Sequence, residues 1–266
     1  MQEYIEAILM GIIQGLTEFL PVSSSGHLEI AKFIFGEKAI GEESILMTVV
    51  LHFATALSTI IVFRKDIWEI IAGIFNKKDD ESRRFTFFII LSMIPAAFAG
   101  IFAEDFINSL FTDNILLVST MLLVTAFLLI IASRPLTGDK SISSFRSIII
   151  GIAQAIAIIP GISRSGATIS TSLLLGVDRE KSARFSFLMV VPLIFGKIIL
   201  DIADGDFTKL NYDKTELILG FLAALISGFI ACKWMIAIVK KAKLWWFAIY
   251  CIIVALIGLS YVFTTG

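Results

Sequence analysis

Two apolar segments of this chain align with each other at an offset of 140 residues without a gap. Residues 11–36 are GIIQGLTEFLPVSSSGHLEIAKFIFG, and residues 151–176 are GIAQAIAIIPGISRSGATISTSLLLG. Seven of the 26 aligned pairs are identical, against roughly two expected from average residue usage. This internal repeat predicts two halves of related fold, residues 1–135 and 144–266.

Stretches nearly free of charge recur along the chain, at the length of about 20 residues that crosses the hydrocarbon core of a bilayer. Hydrophobic residues make up 57% of the sequence, against about 45–50% in soluble domains. The predicted fold class is therefore all-α, a polytopic membrane protein. The six predicted spans are residues 45–63, 85–103, 115–133, 185–203, 216–239 and 244–263. The short amphipathic segment 66–76 is predicted to lie in the membrane interface.

Residues 4–36 and 144–177 are not ordinary spans, because Pro, Gly, Ser and ionisable residues interrupt each of them in the middle. Each is predicted to be a re-entrant helical hairpin, which enters the membrane and returns to the same side. Non-helical backbone at membrane depth is tolerated only where it is buried in protein or lines a water-filled cavity. The two breaks therefore predict a polar cavity inside the protein.

Three predicted spans separate the first hairpin from the second, and a returning hairpin does not change sides. Because three is odd, the second hairpin enters from the opposite face, and the repeats have inverted topology. The broken helices of such repeats commonly build a site near the bilayer midplane.

Lysine and arginine are concentrated in the loops of one side, which the positive-inside rule makes cytoplasmic. These residues are Arg64, Lys65, Lys77, Lys78, Arg83, Arg84, Arg134, Lys140, Arg146, Arg179, Lys181, Arg184, Lys240, Lys241 and Lys243. The loops of the other side hold mainly Lys38, Lys209 and Lys214. Both termini and the first hairpin are thus predicted to open outward. Nucleic-acid binding is not expected, because the basic residues form no single stripe.

The first break places a carboxylate and an imidazole around a flexible turn. Gln14 and Glu18 are four residues apart and share one helix face. Pro21 ends that helix, and SSSG then supplies hydroxyls and free backbone N–H groups where the next helix starts. A helix N-terminus attracts anions. His27 follows directly inside that second helix.

The second break, PGISRSGAT, repeats this turn but carries Arg164 where the first repeat has Ser24. Ser163, Ser165 and Thr168 surround Arg164 with hydroxyls. An arginine at membrane depth is energetically costly and marks a functional site by default. Its planar guanidinium suits bidentate binding of a phosphate.

Together the two breaks predict a phosphate site with an acid–base pair beside it. Glu18 can hold a metal ion or orient His27. His27 can act as general base and activate Ser24 as nucleophile, or protonate the leaving oxygen. Arg164 and the N–H groups would stabilise charge on the transferring phosphoryl group. The blander alternatives are a buried ion pair between Glu18 and Arg164, and an interhelical hydrogen bond from His52.

At these residues the chain resembles the bacterial undecaprenyl-diphosphate phosphatases, the bacitracin-resistance family. Gln14 and Glu18 followed by FLPVSSSGH form one family motif, and PGISRSGAT forms the other. The resemblance extends along essentially the whole chain, including FSFLMVVPL at 185–193. Many members have glutamate at the position of Gln14, which puts a two-carboxylate metal site in doubt here.

The resemblance implies hydrolysis of C55 polyprenyl diphosphate to the monophosphate and phosphate, which recycles the lipid carrier of cell-wall synthesis and gives bacitracin resistance. It also implies a divalent cation, Mg²⁺ or Ca²⁺, and an outward-facing site in the bacterial cytoplasmic (inner) membrane; a homodimer is left open. By motif position the catalytic roles fall to Glu18, Ser24, His27 and Arg164, with Glu18 as the candidate metal ligand. The diphosphate contacts fall to Gln14, Ser23, Ser25, Gly26, Ser163, Ser165, Gly166 and Thr168.

Three other functions compete with this one. The phosphatidic-acid type of membrane phosphatase is excluded. Its nucleophile is a histidine that follows a Ser-Arg pair, and in this chain no histidine follows His52. A lipid-phosphate transporter or flippase would use the same inverted repeat. A structural membrane protein would keep Arg164 for packing alone. The sequence does not decide whether Ser24, His27 or water attacks the phosphorus.

Overall fold

The computed structural model describes residues 2–35, 42–76, 79–110, 114–134, 138–203, 213–241 and 243–265. Its described residues form helices joined by short turns, with one isolated parallel bridge between Lys140 and Val177. The prediction of an all-α fold is confirmed. The helices are α1 (Gln2–Phe19), α2 (Ser24–Phe35), α3 (Glu42–Val62), α4 (Arg64–Phe75), α5 (Asp80–Phe102), α6 (Glu104–Leu110), α7 (Ile115–Ala132), α8 (Ser144–Ile156), α9 (Arg164–Leu174), α10 (Arg179–Ala203), α11 (Lys214–Lys240) and α12 (Trp245–Thr265).

Within the described residues, four helices are long and apolar enough to cross a membrane: α5, α7, α11 and α12. A fifth candidate is the pair α3 and α4, which are bent by 78° relative to each other. These five candidates cover five of the six predicted spans. The remaining one, 185–203, is helical as part of α10. The chain is thus a polytopic helical membrane protein.

The two hairpins are built alike, as the repeat predicts. The second helix of the first hairpin begins at Ser24 and that of the second hairpin begins at Arg164, 140 residues later. The preceding serine caps each helix: Ser23 Oγ accepts a hydrogen bond from Gly26 N at 3.2 Å, and Ser163 Oγ accepts one from Gly166 N at 3.1 Å. The SxxG pattern shared by the two segments is therefore a helix N-cap.

The first helix of each hairpin packs against a long helix of the other half. Helix α1 lies on α11, and α8 lies on α5, and both partners are the second long helix after a hairpin. Each contact is close because a glycine faces it. A Cβ added at Gly11 would lie 2.3 Å from Gly220 O, and one added at Gly151 would lie 2.4 Å from Ser92 O. The two packing contacts are thus equivalent positions of the two repeats.

Polar contacts join the ends of several helices in two groups. Arg184 Nε lies 2.6 Å from Asp66 Oδ1, and Lys240 Nζ lies 2.8 Å from Glu180 Oε1. These contacts join the ends of α4, α10 and α11 that the basic residues assigned to one side. In the other group, the Tyr4 hydroxyl donates to Asp213 Oδ2 at 2.7 Å.

Candidate active site

The tips of the two hairpins touch each other through matched positions. A Cβ added at Gly26 would lie 3.2 Å from Gly161 Cα, and one added at Gly166 would lie 3.3 Å from Pro21 Cβ. In the alignment of the two repeats, Gly26 corresponds to Gly166 and Pro21 corresponds to Gly161. The two contacts are therefore equivalent in the two halves. The Ser165 hydroxyl also donates to Leu20 O at 3.3 Å. The predicted meeting of the two polar breaks is present in the structure.

Glu18 is the hub of the side chains at this contact. It is buried near the end of α1, and its Oε2 accepts hydrogen bonds from Ser24 Oγ at 2.7 Å and Gln14 Nε2 at 3.1 Å. Its Oε1 forms an ion pair with Arg164 Nη2. A carboxylate from the first repeat is therefore neutralised by a guanidinium from the second, and both lie beside a hydroxyl.

Arg164 is oriented by helix α10 as well as by Glu18. Its Nη1 donates to the carbonyl oxygen of Ser186 at 3.3 Å. The Ser186 hydroxyl lies 2.6 Å from Thr168 Oγ1, which also donates to Arg164 O at 2.9 Å. Thr168 is fully buried. Its hydroxyl supports the backbone around the arginine, whereas the sequence predicted a phosphate contact for it.

His27 has both ring nitrogens engaged by groups other than Glu18. Nδ1 is 2.7 Å from Ser23 O, and Nε2 is 2.8 Å from the Tyr250 hydroxyl on α12. Because a carbonyl oxygen only accepts, Nδ1 carries the proton and the tyrosine hydroxyl donates to Nε2. The Ser24 hydroxyl is bonded to Glu18. The geometry thus offers Glu18 to Ser24 as proton acceptor, the role that the sequence predicted for His27.

The remaining predicted residues shape the two turns. Ser25 Oγ lies 3.4 Å from Ser23 Oγ, and Ser165 Oγ lies 3.3 Å from Ser163 Oγ. Ser23 has a φ of 72°, a left-handed conformation that costs a non-glycine residue roughly 1–2 kcal/mol. Such strain in a turn persists where the surrounding structure imposes it, often at functional sites.

The structure adds two residues to the site that the sequence did not predict, Thr125 and Tyr250, and gives a third, His52, a different contact from the predicted one. Thr125 Oγ1 accepts from Ser163 N at 2.9 Å and donates to Gly161 O at 3.0 Å, so α7 holds the second turn in place. Tyr250 reaches His27 from the last helix. His52 was expected to form an interhelical hydrogen bond, but its Nδ1 bonds to Thr48 O of its own helix at 2.8 Å.

His52, and not His27, brings an imidazole close to Glu18. Its Nε2 lies 3.9 Å from Glu18 Oε2. The sequence signal for this contact was a histidine inside an otherwise apolar span, VVLHFATAL at 49–57. Nothing in that pattern identified the hairpin carboxylate as its neighbour.

Glu18 and Gln14 are the two side chains of this site that would offer oxygen ligands to a divalent cation. Among the described residues, no group of three or more His, Cys, Asp and Glu side chains is arranged to hold a metal ion. Gln14 Oε1, however, is a buried oxygen without a hydrogen-bond partner. Mg²⁺ commonly binds through one or two protein oxygens together with substrate phosphates. Glu18 and Gln14 can supply such a pair.

Comparison with known proteins gives a consistent result. Residues 7–257 match the family described as "Bacitracin resistance protein BacA". The chain is 55% identical to the undecaprenyl-diphosphatase of Christiangramia forsetii, covering 97% of this chain and 98% of that protein. It is 46% identical to the undecaprenyl-diphosphatase of Bacteroides thetaiotaomicron, with 98% of each covered, and 42% identical to that of Halothermothrix orenii, with 96% of each covered.

Proposed function

The chain belongs to the bacitracin resistance protein BacA family, and we propose that it hydrolyses undecaprenyl diphosphate at the contact between its two hairpin tips. The reaction releases phosphate and leaves the lipid monophosphate, which returns the carrier to cell-wall synthesis. Removing the diphosphate form of the lipid also gives bacitracin resistance. The relatives that carry the name undecaprenyl-diphosphatase cover nearly the full length of this chain.

The single observation that supports this site best is the contact of Glu18 with both Ser24 and Arg164. We assign the attack to Ser24 Oγ, whose proton passes to Glu18 Oε2 as the bond from oxygen to the terminal phosphorus forms. The bond from that phosphorus to the bridging oxygen breaks, and the lipid monophosphate leaves. Glu18 gives that proton to the departing phosphate oxygen. A water molecule then attacks the phosphoserine and passes a proton to Glu18, the bond from phosphorus to Ser24 Oγ breaks, Ser24 regains its proton from Glu18, and phosphate is released. His27, whose ring nitrogens are engaged elsewhere, is less suited to either the base or the nucleophile role.

Arg164 has two roles in this scheme. In the free protein it balances the charge of the buried Glu18 carboxylate. When the diphosphate binds, its planar guanidinium can pair with the terminal phosphoryl oxygens, where negative charge is spread during transfer. The backbone N–H groups at the starts of α2 and α9 add partial positive charge at the same place. A phosphoryl group at the tips is thus surrounded by fixed donors.

A divalent cation, Mg²⁺ or Ca²⁺, is proposed to complete the site. Glu18 and the unpartnered Gln14 Oε1 would hold it together with phosphate oxygens of the substrate. When bound, such an ion neutralises charge on the diphosphate and makes the terminal phosphorus easier to attack. The groups that bind the diphosphate and that accept the proton of Ser24 remain side chains of this protein.

The location of the protein follows from the same proposal. The polyprenyl tail would lie along apolar helix surfaces within the bilayer, while the headgroup reaches the hairpin tips. We propose the bacterial cytoplasmic membrane, with the termini and the site open to the outside, because the basic loops are concentrated at the opposite end. Cysteine labelling with a membrane-impermeant reagent tests this orientation. Tyr4→Cys is expected to be labelled in intact cells, and Arg184→Cys is expected to be protected. A homodimer stays a prediction, which cross-linking in native membranes tests.

Phosphate release from C55 or farnesyl diphosphate by the purified protein in detergent tests the function. We expect Glu18→Ala and Arg164→Ala to lose at least about 10²-fold in kcat. Arg184→Ala is the matched control, because it removes a guanidinium that pairs with Asp66 away from the tips. If both site variants turn over substrate at the rate of the wild type, the site assignment is wrong.

Lipid translocation is a second candidate function. It is supported by the equivalent packing of the two halves, in which α1 packs on α11 and α8 packs on α5. Repeats related in this way are a common basis of alternating access. A leaflet-resolved assay in proteoliposomes separates the two functions, because a pure transporter would move lipid phosphate between leaflets without releasing phosphate.

A further inference from the structure

We propose that His52, Glu18 and Gln14 form a binding site for one divalent transition-metal ion, with Mn²⁺ as its simplest probe. The inference rests on the proposed function, because it places the cation of that reaction beside Ser24. It adds an imidazole nitrogen to a ligand set that otherwise contains oxygen alone. Three arguments support it: the tautomer of His52, its distance from Glu18, and an unpartnered oxygen on Gln14.

The tautomer of His52 is set by its own helix. Nδ1 lies 2.8 Å from the carbonyl oxygen of Thr48, and a carbonyl only accepts, so Nδ1 carries the proton. In the neutral ring Nε2 then holds a lone pair. Metal-binding histidines are commonly fixed in this way, with the second ring nitrogen donating to a backbone carbonyl. The ring is therefore oriented as a ligand.

The distance from His52 to Glu18 suits two ligands of one ion. Nε2 and Glu18 Oε2 are 3.9 Å apart, too far for a hydrogen bond. Bonds from a metal to imidazole nitrogen and to carboxylate oxygen are each about 2.0–2.2 Å, so one ion can contact both atoms. A lone pair that faces a carboxylate is electrostatically unfavourable unless a proton, a water molecule or a cation lies between them.

His52 and Glu18 differ in how far their side chains are exposed. The side chain of His52 is 31% exposed, whereas that of Glu18 is 7% exposed. The imidazole is therefore the more exposed of the two candidate ligands. Arg164 pairs with the other oxygen, Oε1, while Oε2 accepts hydrogen bonds from Ser24 and Gln14. An ion at Oε2 would therefore take the place of the Gln14 Nε2 donor.

Gln14 supplies a third donor. Its Nε2 donates to Glu18 Oε2 at 3.1 Å, while its Oε1 is buried without a hydrogen-bond partner. Turning the amide over would direct Oε1 toward the carboxylate, an arrangement that repels in the absence of a cation and binds in its presence. The amide can thus take either orientation according to occupancy.

An imidazole ligand changes which metals the site prefers. Oxygen donors suit Mg²⁺, Ca²⁺ and Mn²⁺, whereas imidazole nitrogen favours later transition metals. We therefore expect Mn²⁺, Co²⁺ or Zn²⁺ to bind this chain more tightly than Mg²⁺ or Ca²⁺. Replacing His52 by Gln substitutes an amide group for the imidazole, and should weaken transition-metal binding selectively.

Electron spin-echo envelope modulation of bound Mn²⁺ tests the site directly, because it detects ¹⁴N bonded to the ion. The chain has two histidines, and His27 is the matched control, since both of its nitrogens are engaged elsewhere. Spectra are recorded with Mn²⁺ alone and with added inorganic diphosphate. We expect imidazole modulation in the wild type and in His27→Gln, and its loss in His52→Gln.

The proposal is overturned if the wild type shows no imidazole modulation under either condition, or if His27→Gln removes it. Should His52→Gln fail to fold, the wild-type and His27→Gln spectra still decide. Titration of the Mn²⁺ signal adds a second measurement: His52→Gln should weaken Mn²⁺ binding at least about tenfold, with less effect on the Mg²⁺ concentration that half-saturates phosphate release. Gln154→Leu, at the repeat mate of Gln14, should leave Mn²⁺ binding unchanged.

The proposed function and this site fail in different measurements. A wild-type protein that releases no phosphate from polyprenyl diphosphate with any cation contradicts the function, whatever the spectra show. A protein that releases phosphate but binds Mn²⁺ through oxygen alone contradicts the site.

Discussion

Glu18 and Arg164 are 146 residues apart in the chain and form an ion pair where the two hairpins meet. Glu18 is contributed by the end of α1 and Arg164 by the start of α9. Each alone would be a charge buried inside a membrane protein, at a cost of several kcal/mol. The pair therefore holds the tips together and also orients the Glu18 carboxylate toward Ser24.

Comparison of a single variant with a charge-free double variant separates these two consequences. Glu18→Ala leaves Arg164 unpaired and should lower the free energy of unfolding by about 3–5 kcal/mol. The double variant Glu18→Gln with Arg164→Met removes both charges and should recover most of that stability, yet release no measurable phosphate. Thermal unfolding in detergent and phosphate release measure the two effects. A double variant with activity near that of the wild type would mean that the pair serves structure alone.

Ser24→Ala should reduce kcat by at least about 10³-fold while the fold is retained. The hydroxyl that contacts Glu18 Oε2 at 2.7 Å is the proposed nucleophile, and removing a nucleophile abolishes the covalent step. Acid quench of the wild type during turnover of substrate labelled in the terminal phosphate should trap labelled phosphoserine. Ser109→Ala is the control, because that hydroxyl bonds to Phe106 O away from the tips. Label on a histidine, or none at all, would contradict this assignment.

Tyr250→Phe tests whether His27 contributes to the reaction. The change removes the hydroxyl that donates to His27 Nε2 at 2.8 Å and keeps the ring. A hydrogen bond of this kind contributes about 0.5–1.5 kcal/mol, so kcat should fall by roughly 2- to 12-fold if the tautomer of His27 matters. Phosphate release gives the rate, and ¹⁵N shifts of labelled histidine report the tautomer. An altered tautomer with an unchanged rate would remove His27 from the catalytic group.

Gly11→Ala and Gly151→Ala should destabilise the protein to similar extents. An added Cβ would lie 2.3 Å from Gly220 O in the first case and 2.4 Å from Ser92 O in the second, and such overpacking costs about 1–3 kcal/mol. Gly100→Ala is the control, because its Cβ would have open space around it on α5; there the change should stabilise the helix by about 0.5–1 kcal/mol. Unequal effects at Gly11 and Gly151 would argue against equivalent packing of the two halves.

The repeat predicted those parts of the site that depend on local sequence. Ser23 and Ser163 cap helices because an SxxG turn satisfies the first free N–H groups wherever it occurs. The meeting of Glu18 with Arg164 also followed, because opposite charges buried at matched breaks need each other. In both cases the physical requirement is contained in a few neighbouring residues.

The contacts of the two histidines could not be predicted in this way. His27 contacts Tyr250 of α12, and His52 approaches Glu18 because α3 lies against α1. Both outcomes depend on how distant helices pack and on a choice among side-chain rotamers. Sequence spacing within one helix gives no information about either.

The near-symmetric contact of Gly26 with Gly161 and of Gly166 with Pro21 has a consequence for the two halves of the chain. At matched positions the two tips differ in charge: Glu18 corresponds to Ile158, and Ser24 corresponds to Arg164. A half that assembled with an identical copy of itself would carry two carboxylates and no guanidinium, or the reverse. The charge pair therefore requires two halves that differ at these positions, and a single polypeptide supplies one of each.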